Sequence, residues 1–398
     1  MTNKTISIIS NRCCGCRACE QKCPKQAISC KESNEGFLYP VIDENKCTNC
    51  SLCLNTCPVA SIVEEKDFSQ QYYAVWAQDK QVLKNSSSGG VFYPLAESFI
   101  KRGGYVCGCI NDENCLPKHI LTNNAKDLLK MQGSKYVESY IGHIYLRVRE
   151  KLNEGIEVLF TGTPCQVAGL YKFLEKPFAN LTSIDIICHG VPSRLLFSEY
   201  LKWQAKVHKG KITDYRFRSK DKHDWSLTYK MTVSKTHKNK VVEHMASLDP
   251  YYYSFLQGIT YRESCYTCKY SSMNRVSDIT IGDFWGIEQL DSRLNNPNGV
   301  SAVIINTNKG EAVFSNIKYL FFYESVCADQ IKKCNGNLIA PTKRPQERTM
   351  IYLNLREQGF ARLAKKDLKH KRYFVEKIKD YIPNRIRQKI KKIIRKRG

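Results

Sequence analysis

Two runs of cysteine near the start of the chain, Cys13-x2-Cys16-x2-Cys19-x3-Cys23-Pro24 and Cys47-x2-Cys50-x2-Cys53-x3-Cys57-Pro58, match position by position. A tight loop with thiols at every third residue presents three thiolates to one cubane, and the fourth leaves on a helix and reaches across to the other. The spacing therefore predicts two [4Fe-4S] clusters, one on Cys13, Cys16, Cys19 and Cys57 and one on Cys47, Cys50, Cys53 and Cys23. Two complete copies in tandem argue strongly against zinc or inert buried thiols. Cys14 and Cys30 fall outside the spacing and read as spectators.

A second group of cysteines is more dispersed. Cys165 follows an apolar strand-like run, Cys188 ends another, and Cys265-x2-Cys268 supplies a close pair. If the two runs are parallel neighbours, both thiols lie at the carboxyl edge of a sheet, where open α/β folds place their sites. Four thiolates could hold a third [4Fe-4S] cluster. The competing reading, with Cys165 and Cys188 as small buried side chains and the pair as a lone zinc or redox motif, is equally compatible with residue statistics. Cys107, Cys109, Cys115, Cys327 and Cys334 read as packing residues.

Turns able to cradle phosphate occur at Ser86-Ser87-Ser88-Gly89-Gly90, ahead of a helical pattern, and at Thr161-Gly162-Thr163, between a strand and a helix. Small residues and N–H groups at a helix start suit an anion, although an N-capped loop looks the same. Lys135, after Ser134, could neutralise phosphate or bond a flavin ring. No GxGxxG follows a strand, which argues against a Rossmann dinucleotide site. His189, beside Cys188, could tune a cluster or relay a proton. Asp278 and Asp283 are expected on one strand, facing the same side.

The elements that must position these residues follow from periodicity. Strands are expected at 105–110, 156–160, 184–187, 225–233 and 279–284, and helices from Val91 to Ile100, around 141–152, over 164–174 and after an N-cap at Ser193. A strand, crossover helix and strand over 156–187 form a parallel unit. The fold class is α/β and α+β: a dicluster ferredoxin-like domain over 1–66, a core with a partly parallel sheet over 71–153 and 154–342, and a basic helical tail over 343–398.

The chain resembles the beta subunits of coenzyme F420 hydrogenases and dehydrogenases. The resemblance runs through six ordered blocks: Ser86–Val91, Gly133–Tyr136, Leu159–Gly169, Ile187–Pro192, Cys265–Cys268 and Asp278–Gly286. It implies an iron–sulfur flavoprotein core and favours the loop Ser86, Ser87, Ser88, Gly89 and Gly90 as the FAD cradle, with Ser134, Lys135, Thr161, Gly162 and Thr163 as further candidates from residue type alone. It also favours the cluster on Cys165, Cys188, Cys265 and Cys268, whereas a catalytic role for His189 rests on its position beside Cys188, against the commoner structural use of a lone histidine. The expected function is an oxidoreductase that takes electrons from reduced ferredoxin or another redox protein and passes them through the head clusters and the core cluster to FAD. An unidentified acceptor receives them. The alternative is a non-catalytic electron-transfer subunit of a hydrogenase or dehydrogenase complex.

The chain has 398 residues and a net charge of +24. Nineteen cysteines at short spacings, with no apolar leader ahead of them, predict metal sites in a reducing cytoplasm rather than a disulfide framework. No apolar stretch is long enough to span a bilayer. From 361 to 398 sixteen Lys/Arg stand against three Asp/Glu. Ile382, Ile386, Ile390, Ile393 and Ile394 recur among these cations at helical spacing, the pattern of a helix lying on an anionic membrane, with a solvated tail as the alternative. The expected location is therefore the cytoplasm and the inner face of the membrane. Nucleic acid is disfavoured as a partner, because no binding fold is recognisable and aromatic residues are sparse in this segment.

Overall fold

The computed structural model of the chain describes residues 5–63, 67–236, 238–371, 373–382 and 386. In the head, the sequence repeat is also a backbone repeat. Gly15 and Asn49, equivalent between the two runs, both have positive φ (74° and 53°), and so do the equivalent Arg17 and Ser51 (58° and 64°). Glycine and asparagine are the residues that tolerate this conformation, which turns the chain tightly between successive cysteines. A short helix follows each loop, Ala18–Lys22 and Leu52–Asn55. An antiparallel hairpin, β1 (Ile28–Glu32) with β2 (Leu38–Ile42), lies between the two runs.

Eight strands build the core sheet: β3 (Gln71–Ala77), β4 (Tyr105–Asn111), β5 (Pro117–Thr122), β6 (Val158–Gly162), β7 (Leu181–Ile186), β11 (Ile279–Asp283), β12 (Ser301–Ile305) and β13 (Phe321–Ser325). Their order is β13-β3-β12-β11-β7-β6-β4-β5. The four strands β11, β7, β6 and β4 are parallel neighbours, and the remaining pairings are antiparallel. Parallel strands are covered on both faces, which explains the unbroken apolar runs at their centres: Val106, Leu159, Phe160, Ile184 and Ile279 are fully buried. Each such side chain contributes about 1.5–3 kcal/mol. Strands from 71–153 and from 154–342 share this one sheet.

The expected strand, helix and strand unit is present, with Val158 of β6 paired to Leu181 of β7 and helix Pro164–Leu174 between them. Ser193 caps helix Arg194–His208 by accepting from the Leu196 N–H at 3.2 Å. Beyond it, β8 (Lys211–Arg216), β9 (Thr228–Ser234) and β10 (Lys240–Met245) form a separate antiparallel sheet ordered β10-β9-β8. The expected strand at 225–233 thus begins three residues late, because Trp225 instead stacks on Trp285 at 4.3 Å. Helices Arg348–Gln358, Phe360–Lys366 and Tyr373–Tyr381 follow the core. Of the predicted basic amphipathic helix only Ile382 and Ile386 are described, and Ile390, Ile393 and Ile394 lie outside the described residues.

Candidate functional site at the sheet edge

The carboxyl ends of the central parallel strands open onto a cavity of about 550 Å³. That volume lies within the range of about 300–1,000 Å³ that accommodates cofactor-sized ligands. β6 delivers Thr161 and Gly162, the helix start delivers Thr163 and Cys165, and the residues after β7 deliver Cys188 and His189. Cys265 and Cys268 reach the same cavity from the turn Glu263–Thr267 and its C-cap. Ser86, Ser87, Ser88, Gly90, Ser134 and Lys135 line it from the other side.

Four thiols therefore meet at one wall. Burial pushes the Cys188 thiol up to about 12, with Cys165 and Cys268 adding repulsion. Burial likewise raises Cys265, reinforced by Cys188 and Cys165. Thiols so placed resist ionisation until a cation joins them, and a metal centre ligated by thiolates supplies that charge. Among the described residues no three His, Cys, Asp or Glu side chains close around a single ion. Four thiolates are the ligand set both of a [4Fe-4S] cubane and of a structural zinc.

In the head, Cys13, Cys16, Cys19 and Cys57 surround one small enclosed cavity. Cys14 and Cys30 line it as well. Cys14 also lies between the two groups: it lines both cavities, and its neighbour Cys16 and its burial push its thiol's pKa up. The residue after Cys13 thus faces the core cavity as well as the cavity of the head. Of the second set, Cys53 and Cys23 pack with Cys19 and Cys57 in the small core of the head, and Cys23 Sγ accepts from the Ala27 N–H at 3.4 Å. Cys109 lines the large cavity and Cys327 is exposed, so neither is the packing residue expected.

The turn residues are engaged as follows. Ser86 Oγ donates to Val82 O at 2.8 Å and Ser88 Oγ to Val300 O at 2.7 Å, while Ser87 Oγ accepts from Ser134 N at 2.6 Å. Gly89 packs the loop onto the sheet, where a Cβ would stand 2.1 Å from Val75 O. The ammonium of Lys135 donates to the carbonyls of Met131, Gln132 and Gly133 at 3.1–3.3 Å, and burial lowers its pKa. The three serine hydroxyls thus fix the loop itself, leaving its backbone and shape to face a ligand.

Three arginines and a histidine, none singled out by spacing, hold the walls together. Buried Arg218 pairs with Asp283 at 2.6 Å and donates to Ser87 O at 2.8 Å and Tyr136 Oη at 3.3 Å, joining three of the sequence blocks. Arg275 donates to Asp185 at 2.8 Å and to Tyr270 O at 2.8 Å, fixing the segment after Cys268 to β7, the strand that leads into Cys188. Arg262 donates to Cys13 O, Leu38 O and Glu138, fastening head to core. His119 Nε2–H donates to Thr161 O (3.1 Å), Nδ1 of the neutral ring accepts from Ser139 Oγ (3.0 Å), and burial lowers its pKa to about 4. Asp278 and Asp283 do not share a face. Five residues apart on a period of two, they diverge: Asp278 is buried against Ser183 and Thr307, and Asp283 reaches the cavity.

Comparison with known proteins gives a consistent picture. Residues 156–322 match the family described as the C terminus of the coenzyme F420 hydrogenase/dehydrogenase beta subunit, and residues 12–61 match the "4Fe-4S dicluster domain". The chain is similar to the coenzyme F420-dependent sulfite reductase of Methanocaldococcus jannaschii, 24% identical over 72% of this chain and 42% of that protein. It thus spans less than half the length of that relative. It is also similar to a subunit of the F(420)H(2) dehydrogenase of Methanosarcina mazei, 23% identical over 77% of this chain and 82% of that protein. Among solved structures, a chain of the F420-reducing [NiFe] hydrogenase complex from Methanosarcina barkeri aligns with a TM-score of 0.47 and 16% identity, over 74% of this chain and 95% of the other.

Proposed function

We propose that this chain, which joins a 4Fe-4S dicluster domain to the C-terminal domain of the coenzyme F420 hydrogenase/dehydrogenase beta subunits, is an iron–sulfur flavoprotein oxidoreductase. Electrons delivered by reduced ferredoxin or another redox protein would pass through head clusters and a core cluster to FAD and on to an organic acceptor. Coenzyme F420, which the names of the relatives carry, is one candidate acceptor.

The observation that carries this reading is the shared cavity. Cys165, Cys188, Cys265 and Cys268 line the same space as Ser86–Ser88, Ser134, Lys135 and Thr161–Thr163. Cys14 and Gly15 of the head line it too, so head and core meet at the site. The four core cysteines would hold the cluster, and the two turns with Lys135 would hold the flavin. FAD supplies the ability to exchange both single electrons and a hydride. The chain's own residues keep the turns closed through Arg218, keep the ligand segment on the sheet through Arg275 and keep the head against the core through Arg262. His189, at the cavity wall, is the candidate for holding a proton near the acceptor.

The test is anaerobic reduction by ferredoxin, followed separately at flavin and cluster absorbance, for the unaltered chain and Cys165→Ser. The proposal expects head clusters to reduce in both and the flavin only in the first. Equal flavin reduction in the two overturns the core relay. A second reading, an electron-transfer subunit serving a partner's chemistry, is favoured by the dehydrogenase subunit among the similar proteins. Stable co-purification with a hydrogenase or dehydrogenase subunit would decide for it.

A further inference from the structure

Helix Tyr373–Tyr381 is mounted inside out. Its buried face is acidic, with Glu376 9% and Asp380 1% exposed, whereas Phe374 is 74%, Ile378 66% and Tyr381 72% exposed. A surface helix ordinarily buries its apolar stripe and turns its charges to water. Here charge pairing decides the orientation. Asp380 accepts from Lys222 Nζ at 2.6 Å, Met245 N at 2.8 Å and His244 Nδ1 at 2.9 Å, and Glu376 accepts from Ser247 Oγ at 2.9 Å. The apolar residues at i, i+4 and i+7 are left pointing away from the protein.

We infer that this exposed stripe is a docking surface for an anionic lipid bilayer, and that the inverted helix sets how the molecule sits on it. Charge decides the occupant. Two of the three acidic residues between 361 and 398 are Glu376 and Asp380, whose carboxylates are turned inward, so the outer surface of the segment is apolar and cationic. Lys377 flanks the stripe on the helix itself, and Lys379, half-exposed, is paired with Glu376 at 2.6 Å. After Asp380 the sequence carries eight Lys/Arg and no Asp or Glu. Apolar side chains set among cations match the boundary between acyl chains and anionic headgroups, where burial and electrostatic attraction reinforce each other. Nucleic acid would use the cations and leave Phe374 and Ile378 in water. The stripe lies on a helix clasped to β10 and to Lys222, so binding would orient the core rigidly rather than tether it by a loose tail. No helix among the described residues is long and apolar enough to cross a membrane, and the inferred association is peripheral.

The experiment is flotation of the full chain, purified anaerobically, with phosphatidylglycerol–phosphatidylcholine vesicles and with phosphatidylcholine vesicles alone. The unaltered chain floats with the anionic vesicles. Phe374→Ser combined with Ile378→Ser, which changes only exposed positions, weakens that binding about tenfold or more although every cation is retained. Phe374→Trp adds a tryptophan whose emission moves to the blue on vesicle binding. Equal binding by the double serine variant, or an unmoved emission, overturns the inference in favour of attraction by charge alone. No flotation of the unaltered chain also overturns it, and self-association abolished by the double variant would then assign the stripe to a second copy of the chain.

Discussion

Replacing Arg262 with methionine should undo the join between head and core. The guanidinium is fully buried, donates at 2.6 Å to Cys13 O and at 2.6 Å to Leu38 O, and pairs at 2.5 Å with Glu138, whose second carboxylate oxygen has no hydrogen-bond partner. Breaking a buried ion pair from one side costs about 3–5 kcal/mol, because the remaining charge is left uncompensated. Each carbonyl also loses a charged donor, a contribution of about 1.5–3 kcal/mol that overlaps with the first since all three contacts open together. The expected loss is about 4–6 kcal/mol in the free energy that closes the head onto the core. Hydrogen exchange of the amides around residues 13–40 and 262 reads that opening directly. Adding Glu138→Gln to Arg262→Met should restore about 1–3 kcal/mol, since the orphaned group is then neutral. A loss below about 1 kcal/mol, or no recovery in the double variant, would refute the reasoning.

Gly169 lies in helix Pro164–Leu174, where alanine ordinarily stabilises, yet a Cβ there would stand 2.9 Å from Cys16 Cβ and 3.0 Å from Tyr145 Oη. Gly169→Ala is therefore expected to destabilise by about 1–3 kcal/mol and to increase proteolysis between head and core. Arg218→Met leaves Asp283 unpaired and frees the Ser87 and Tyr136 segments, so retained flavin after dialysis should fall about tenfold or more, together with a loss of about 3–5 kcal/mol in thermal or denaturant stability. Lys220 donates to Leu83 O and Ser88 O, and burial lowers its pKa from 10.5 to about 7. The unfolded chain then binds the extra proton between pH 7 and the ordinary lysine value, so stability rises with pH across about 7–10.4. Lys220→Met should flatten that rise in a series of denaturant midpoints.

Much of the site was legible because it rests on periodicity and spacing. The cysteine repeat, the apolar runs of β6 and β7 and the capping residues Thr163 and Ser193 each carry a local signal, and together they place Cys165 and Cys188 at one edge. What escaped depends on long-range pairing. Nothing local shows that β3 inserts between β12 and β13, or that Arg218, Arg262 and Arg275 are buried, since an isolated arginine reads as solvated. A weak signal was available in position: Arg262 precedes Cys265 by three residues and Arg275 precedes Asp278 by three. The divergence of Asp278 and Asp283 follows from strand parity alone. Helix Tyr373–Tyr381 also escaped, since the apolar pattern read from the sequence begins at Ile382 and only the partners of Asp380 reveal which face turns outward.

The central claim is that one chain carries the head clusters, a core cluster and a flavin around a single cavity. Quantifying iron, acid-labile sulfide and flavin in anaerobically purified protein tests it most directly. The account predicts about twelve irons with one FAD per chain, whereas about eight irons without flavin would leave only the dicluster head.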